Sequence, residues 1–368
     1  MNGYHRKYTL HCEALSPIHI GSGEALSRWE YVVINNELYY VTDEFWELLL
    51  SSDSGAFDKL VSRINQSNSA SLTEEFDRLP NKAGLKQTLK KSEIEFRPLL
   101  DKNRRPIIRN INRFAGTPNY YIPGSSLKGA FRGAYEVSLI TENKIQIAQA
   151  STEDQRRNLL KEIEQEFLDM SNLDSVISGT FRKIRVPDIK IQSSDLMIIP
   201  ISYTKNTTKQ NTIEFYECLK PATQFKISLT DINKDNLLQQ ILIKNVFPFY
   251  RSVFDKLKRQ SDDHTTYLEN FYDEASKKIK NTRDGKTTVS PIIRCGYGAG
   301  QLSNSILMAW QNNIEDDTLL WQGKAKQLLR EEKMQVGDQY PSAPKWDLEG
   351  ESPLGWIKIN KMTESINQ

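Results

Sequence analysis

The chain contains 368 residues, of which 38% are hydrophobic and 26% are charged, and its formal net charge is +2. This composition predicts a soluble globular protein, long enough for about two domains. The sequence contains no apolar run near the ~18 residues that cross a bilayer, so we expect no membrane partner. Three widely separated cysteines, Cys12, Cys218 and Cys295, predict neither a disulfide framework nor a metal site. They are typical of a protein of the reducing cytoplasm.

Alternating polar and apolar residues predict a first strand over residues 7–15. A segment of small residues follows, 18–24, and contains His19. A histidine at a strand end can act as general base on a ribose hydroxyl, donate to a phosphate or satisfy a backbone group. The other histidines show no pairing typical of a ribonuclease: His5, His11 and His264. We therefore expect His19 to bind rather than to catalyse.

Two strands are predicted in residues 30–41, joined by a turn at Asn35-Asn36. Thr42 or Asp43 is expected to cap the helix that follows.

Residues 51–110 are polar and show only short helical patterns, which predicts an insertion with mobile parts. Its second half is basic. Residues 82–113 carry ten cations and three carboxylates, a local charge of ten minus three, or +7. Such a stretch fits either contact with a polyanion or an ordinary solvated segment.

The segment 121–133 begins with a turn at Pro123-Gly124, followed by two possible capping serines, Ser125 and Ser126. Two cations, Lys128 and Arg132, lie one helical turn apart, and two glycines, Gly129 and Gly133, have the same spacing. The serines are expected to cap a helix, and the cations share one face near its positive end. Together these features predict a phosphate site. The alternative is an ordinary capped helix whose glycines permit close packing.

Periodicity downstream predicts a helix over 151–170, strands over 184–191, 196–203, 213–218 and 223–229, a helical zone over 237–280 and strands over 290–294 and 355–360. The polar loop 203–211 is expected to project between two strands. Arg182 and Arg185 precede or enter a strand, where they can contact phosphate or pair with Asp188.

The loop 296–300 reads Gly-Tyr-Gly-Ala-Gly. It has neither the Gly-Lys-Ser/Thr ending of a P-loop nor the spacing of a dinucleotide-binding turn. Its glycines allow close backbone approach to a polyanion, Arg294 precedes it, and Tyr297 offers a ring that can stack on a base. We expect Gly296, Gly298 and Gly300 to line such a contact, and a simple tight turn is the alternative.

The order of elements predicts an α+β fold with a ferredoxin-like (RRM-type) core and large, partly helical insertions. Residues 1–310 would form this core, with insertions at about 51–110 and 141–175. Residues 311–368 would form a helical segment and the closing strand.

Four segments, in this order, resemble the RAMP superfamily of CRISPR proteins: Leu15–Gly23, Tyr121–Gly129, Glu217–Phe225 and Gly296–Gly300. The segment Pro-Gly-Ser-Ser-Leu-Lys-Gly is the most specific of them. Within the superfamily, Arg185–Asp188 and the ending Pro353–Lys358 look most similar to the family of fifth subunits of type III-A (Csm) effector complexes.

The resemblance implies an RNA-recognition-type core that binds the guide crRNA, caps the complex at the crRNA 3′ end and supports crRNA maturation. It implies neighbouring backbone RAMP subunits as partners, and it raises target RNA and host nucleases as further partners. No cofactor, metal or catalytic residue is expected. The expected RNA-binding residues are His19, Gly21, Ser22, Gly23, Ser125, Ser126, Lys128, Arg132, Arg182, Arg185, Arg294, Gly296, Tyr297, Gly298 and Gly300.

Two alternatives stay open. Some members of the superfamily cut RNA with a histidine near the first strand, so the chain could be a metal-independent endoribonuclease that processes repeat RNA with His19 as general base. A protein-only spacer, with incidental RNA contact, also agrees with the near-neutral net charge.

Overall fold

A computed structural model of the chain describes residues 5–66, 71–98, 107–113, 119–149, 181–204, 211–232, 237–264, 266–283, 286–296, 346–347 and 352–367. Its strands are β1 (His5–Ala14), β2 (Gly21–Leu26), β3 (Tyr31–Ile34), β4 (Glu37–Tyr40), β5 (Lys90–Lys91), β6 (Glu95–Phe96), β7 (Ile108–Ile111), β8 (Tyr120–Ile122), β9 (Ile184–Arg185), β10 (Ile189–Ile191), β11 (Leu196–Thr204), β12 (Asn211–Leu219), β13 (Gln224–Asp231), β14 (Lys280–Arg283), β15 (Lys286–Val289), β16 (Ile292–Arg294), β17 (Trp346–Asp347), β18 (Ser352–Pro353) and β19 (Trp356–Asn367).

Its helices are α1 (Asp43–Ser52), α2 (Ser54–Gln66), α3 (Leu72–Phe76), α4 (Lys82–Thr88), α5 (Gly124–Gln149), α6 (Leu237–Ile241), α7 (Phe247–His264) and α8 (Thr266–Ile279). A π-helical stretch, Leu242–Val246, joins α6 to α7, and Ser193–Asp195 form a 3₁₀ turn. None of the described helices is long and apolar enough to span a membrane. The predicted α+β class is confirmed.

The central sheet has five strands in the order β16-β19-β1-β13-β9, and every neighbouring pair is antiparallel. β1 alternates buried and less buried residues, as its sequence predicts, and buries Tyr8, Leu10 and Cys12. Helices α5, α6 and α7 contribute to the same hydrophobic core. The first strand of the chain is therefore an interior strand of the main sheet.

The second large sheet has the order β18-β17-β11-β12-β7-β2, and β6 pairs with β11 in parallel. β11 and β12 form a long hairpin from Leu196↔Leu219 to Thr204↔Asn211. The projecting loop that we predicted at the tip of this hairpin lies outside the described residues. The outermost strand, β2, pairs with β7 through an irregular register.

The first part of the predicted insertion at 51–110 shares a separate core with the strands and the helix that precede it. The small sheet β3-β4-β5 and helices α1 to α4 bury a separate cluster that includes Phe45, Leu49, Phe76 and Leu85. The Thr42 hydroxyl caps α1 by accepting from Phe45 N, as predicted. These contacts show that the first part of the insertion, up to residue 91, is a packed subdomain.

The prediction of one strand over 184–191 is wrong, because the chain forms two short strands in different sheets. β9 pairs with β13, whereas β10 pairs with β8. Pro187 separates them and has no N–H for a ladder. The sequence also gave no sign of the β14–β15 hairpin, and β19 extends to Asn367 rather than ending at residue 360. The helix predicted over 151–170 lies outside the described residues.

Gly355 joins the ends of three chain segments. Its N–H donates to Pro17 O, and its carbonyl accepts from Cys295 N. Its φ of +92° places a Cβ, if one were present, 2.2 Å from Cys295 O. A residue with a side chain would therefore be strained and would also push the Cys295 backbone away.

We predict that Gly355→Ala lowers the free energy of unfolding by more than about 3 kcal/mol, because it adds a backbone clash to the strain of positive φ. Gly23→Ala is the matched control, since Gly23 has a φ of +88° but no atom within 4 Å of an added Cβ. It should cost only about 1–2 kcal/mol. Urea unfolding followed by circular dichroism measures both, and equal losses would contradict the close contact at Gly355.

Candidate nucleic-acid interface

His19 follows β1 and is buried against β12. Ile18 and Leu219 exchange backbone hydrogen bonds, which fixes the strand-like path of this segment. The His19 Nδ1 lies 2.7 Å from Glu217 O, and the imidazole meets the Tyr216 ring edge to face. Because a carbonyl only accepts, this geometry assigns the proton to Nδ1. The side chain is 3% exposed, so the structure gives His19 a supporting position beneath the surface rather than a surface contact.

Gly21, Ser22 and Gly23 form the exposed start of the edge strand β2. A Cβ on Gly21 would lie 2.7 Å from His19 Nε2, so only glycine lets the strand cross this close to the imidazole. The Ser22 hydroxyl donates to Asn110 O. These residues present mainly backbone to the outside, which leaves room for close approach by another molecule, and their predicted RNA contact stays a prediction.

The glycine loop begins directly against the His19 segment. Gly296 has a φ of +84°, and a Cβ there would lie 2.4 Å from His19 O. The structure thus brings together two motifs that are far apart in the sequence. Tyr297, Gly298 and Gly300 lie outside the described residues, so their predicted contacts stay predictions.

Asn112 connects the His19 segment to the region before α5. Its backbone N–H and its side-chain Nδ2 both donate to Ile20 O, at 3.3 and 2.6 Å, and its carbonyl accepts from Tyr121 N. The sequence does not single out Asn112, because it is one polar residue in a basic stretch. Its only local signal is its place directly after the apolar residues of β7 and before Arg113.

Helix α5 presents an exposed cationic face. Leu127, Phe131 and Ala134 are buried, whereas Ser125 and Gly129 are exposed and Ser126, Lys128 and Arg132 are partly exposed. Partial burial, and then the nearby Arg132 charge, lower the pKa of the Lys128 ammonium. A Cβ on Gly129 would meet no atom within 4 Å, so this glycine faces open space and not a packed helix.

The predicted serine cap of α5 is wrong. The Gly124 N–H donates to Asp188 Oδ1 at 2.8 Å, and within the described residues neither Ser125 nor Ser126 caps the helix with its hydroxyl. Gly124 permits this arrangement, because a Cβ there would lie 1.9 Å from Val186 O. A carboxylate therefore already occupies the positive helix end. A phosphate at α5 would therefore contact the cationic side chains of the helix rather than its first amide.

Arg182 and Arg185 are exposed and belong to the segment that crosses the start of α5. Of the two alternatives, an ion pair with Asp188 is not among the salt bridges of the described residues, and Asp188 accepts from the Gly124 N–H. The predicted phosphate contacts of both arginines stay predictions.

A buried carboxylate, Glu217, supports the interface from below. Its Oε2 accepts from Ile111 N, its Oε1 pairs with Arg113, and its backbone carbonyl is the partner of His19. Burial raises the pKa of Glu217, and the Arg113 charge opposes this shift. The Arg113 guanidinium also lies over the Tyr120 ring. One residue thus holds β7, β12 and the His19 segment in register.

The prediction places Arg294 at an RNA contact, but the structure buries this side chain in the core. It is 3% exposed, its Nε donates to Leu354 O, and its guanidinium lies 5.2 Å from the Trp356 ring centroid. Burial lowers the pKa of Arg294, and the nearby Tyr272 and Tyr250 act against this shift. The carbonyl and the ring compensate in part for lost water. Arg294 therefore holds β16 to Leu354 and Trp356 inside the core.

Comparison with known proteins identifies relatives of the whole arrangement. A sequence model of the RAMP superfamily matches residues 11–318. The "CRISPR system Cms protein Csm5" of Streptococcus thermophilus is 25% identical over 288 residues, which cover 68% of this chain and 71% of that protein. A chain in the cryo-EM structure of a Csm-crRNA-target RNA ternary complex of a type III-A CRISPR-Cas system superposes with a TM-score of 0.67 and 16% identity, covering 96% of this chain and 100% of that one. The crystal structure of T. onnurineus Csm5 superposes with a TM-score of 0.61 and 15% identity over 95% of this chain and 100% of that one.

We predict that Asp188→Ala lowers the free energy of unfolding by about 1 kcal/mol, because it removes the acceptor for the first amide of α5. Ser125→Ala is the matched control and should stay within about 0.5 kcal/mol of the parent chain. Thermal unfolding measures both. A larger loss for Ser125→Ala than for Asp188→Ala would restore the serine cap.

We further predict that Arg132→Gln raises the pKa of Lys128, because it removes the neighbouring positive charge and leaves burial unchanged. The sign follows from Coulomb repulsion, which disfavours a second ammonium beside a guanidinium. An NMR titration of the Lys128 side chain in both proteins measures the shift. An unchanged pKa would show that the two cations do not share one face of the helix.

Proposed function

Because the chain belongs to the RAMP superfamily, we propose that it is a non-catalytic RNA-binding subunit of a type III-A CRISPR effector complex. In this role it caps the assembly at the crRNA 3′ end and supports crRNA maturation. The proposed core arrangement is ferredoxin-like, and the proposed location is the cytoplasm. The partners we propose are crRNA, target RNA, neighbouring Csm subunits and host nucleases. The names of the relatives support the first three of them.

One observation carries the proposal: the segments that resemble the superfamily meet around Ile20. Gly296 lies on the His19–Ile20 backbone, and Asn112 binds the Ile20 carbonyl and leads through Tyr121 into α5. The glycine backbone of these segments and the start of α5, whose helix carries the cations, thereby lie in one region. This combination suits a sugar–phosphate chain, which proteins hold mainly through amides and cations.

The charge on α5 supports the same role. Lys128 forms no ion pair with any described carboxylate, and its neighbour Arg132 lowers its pKa. A bound phosphate would relieve this repulsion by placing negative charge between the two cations. Gly129 leaves the space between them open. Contacts of this kind fix the position of an RNA strand and do not depend on its sequence.

The position of His19 argues against the nuclease alternative. A general base has to reach a ribose hydroxyl, directly or through one water. The His19 side chain is 3% exposed, its Nδ1 is engaged by Glu217 O, and the Gly21 backbone crosses beside its Nε2. The histidine is better placed to support the Gly21–Gly23 backbone than to abstract a proton.

We predict that Lys128→Ala weakens the binding of single-stranded RNA for all sequences alike and lowers the slope of log K against log salt by about 0.7. Lys59→Ala, which removes an exposed cation from α2, is the matched control and should change neither value. Fluorescence anisotropy with labelled RNA in chelator, at several salt concentrations, measures both. Equal affinity and slope in Lys128→Ala and the parent chain would remove the phosphate assignment.

The same samples, run on a denaturing gel, separate the three functions. Salt-sensitive binding with intact RNA supports the capping subunit. Specific cleavage in chelator that His19→Ala abolishes would make the chain an endoribonuclease. Assembly with Csm subunits, without measurable affinity for RNA, would instead indicate a protein-only spacer.

A further inference from the structure

A groove lies on a part of the molecule that the proposed RNA contacts do not use. It has a volume of about 570 Å³ and runs between the start of α7, the β14–β15 hairpin and the middle of β19. Phe247, Pro248, Ile292 and Met362 give it an apolar lining.

Exposed aliphatic side chains concentrate at this groove. Among the described residues, three large hydrophobic side chains are about half exposed: Leu50, Ile243 and Val289. Two of them, Ile243 and Val289, line the groove, at 50% and 48% exposure. Exposed apolar groups that cluster beside a groove mark a surface that another molecule covers.

An open strand edge continues from the groove. β19 pairs with β1 from Ile357 to Asn367, with a register shift between Ile359 and Lys361, and β16 covers its other edge only from Trp356 to Lys358. Over residues 360–367 that outer edge has no strand partner within the described chain. Asn360, Lys361 and Met362 belong both to this edge and to the groove. Unpaired N–H and C=O groups at such an edge form a template for an added strand.

The charge of the groove selects the kind of strand. Among the described residues, its lining includes Arg251 and Lys361 and no carboxylate. Arg251 Nε binds Asp255, but its Nη1 is buried without a hydrogen-bond partner in the described chain. A buried guanidinium nitrogen without an acceptor is costly, and a carboxylate from a ligand would satisfy it.

From these observations we infer that the outer edge of β19 binds an extended segment of a partner protein that carries aliphatic residues and an acidic residue on the same face. The segment adds a sixth strand to the central sheet. Successive side chains of a strand point to opposite faces, so its aliphatic residues enter the groove on one face. Its backbone pairs with residues 360–367, and a carboxylate reaches Arg251. An RNA strand would leave the apolar lining and the strand edge unused.

The test uses the full chain and two synthetic peptides of about ten residues, long enough to pair with the open edge. Every second residue of each peptide faces the groove: these residues are valines and one glutamate in the first peptide, valines and one lysine in the second, and serine fills the other positions. We expect the glutamate peptide to bind at least about tenfold more tightly. Hydrogen–deuterium exchange should show protection by that peptide at the outward amides of residues 360–367.

Val289→Glu should weaken binding of the glutamate peptide by about tenfold or more, because it places like charge and a polar group in the groove. Leu50→Glu is the matched control, since Leu50 is equally exposed but lies on α1, and it should leave the affinity unchanged. Ile243→Ser replaces Val289→Glu if the latter fails to fold. Arg251→Gln should reduce the preference for glutamate over lysine.

Several results would overturn the inference. They are equal affinity for both peptides, protection that falls elsewhere, or displacement of the peptide by single-stranded RNA. Slow exchange of the outward amides in the free chain would also overturn it, because another part of the same chain would then already pair with this edge.

Discussion

The first strand of the chain lies against a strand from the far end of the sequence, and the rest of the molecule depends on this pairing. His5 is opposite Asn367, and Ala14 is opposite Ile357. Where the ladder ends, Ser16 Oγ accepts from Trp356 N. The chain that leaves β1 is therefore already held when it reaches His19, and the contacts of Gly296 and Asn112 build on a fixed support. The face that we propose for RNA is a product of this closure.

Features set by neighbouring residues could be predicted from the sequence. Asn35 and Asn36 both adopt positive φ in a two-residue turn, and Thr42 caps α1. Features set by distant residues could not. Asp188 caps a helix that begins 64 residues earlier in the chain, and Trp356 covers Arg294 although the pattern around Arg294 suggests an exposed cation. The meeting of the family segments followed from resemblance alone, because no spacing along the chain indicates that Gly296 touches His19.

Charge counting along the sequence misled for the same reason. The charge of +7 for residues 82–113 counts only the carboxylates of that stretch and none from other segments. In the fold, Arg109 forms a two-pronged pair with Glu214, Arg113 pairs with Glu217, and Lys91 pairs with Glu37. Carboxylates from other segments thus neutralise much of the stretch. The cations that we propose for a polyanion lie instead on α5 and on the segment that crosses its start.

The pairing of β1 with β19 also determines when the molecule can fold. Contacts between residues more than 350 positions apart give the central sheet a high contact order, and such sheets form slowly. During translation β1 has to wait for its partner until residues 356–367 leave the ribosome, while the insertion with its own core, between β3 and β5, can fold earlier. In the interval one edge of β1 has no strand partner, although β13 and helices α5 to α7 are already present to cover its other edge and its apolar side. Synthesis of this chain therefore includes a period in which chaperone protection matters most, and it ends only with the last strand.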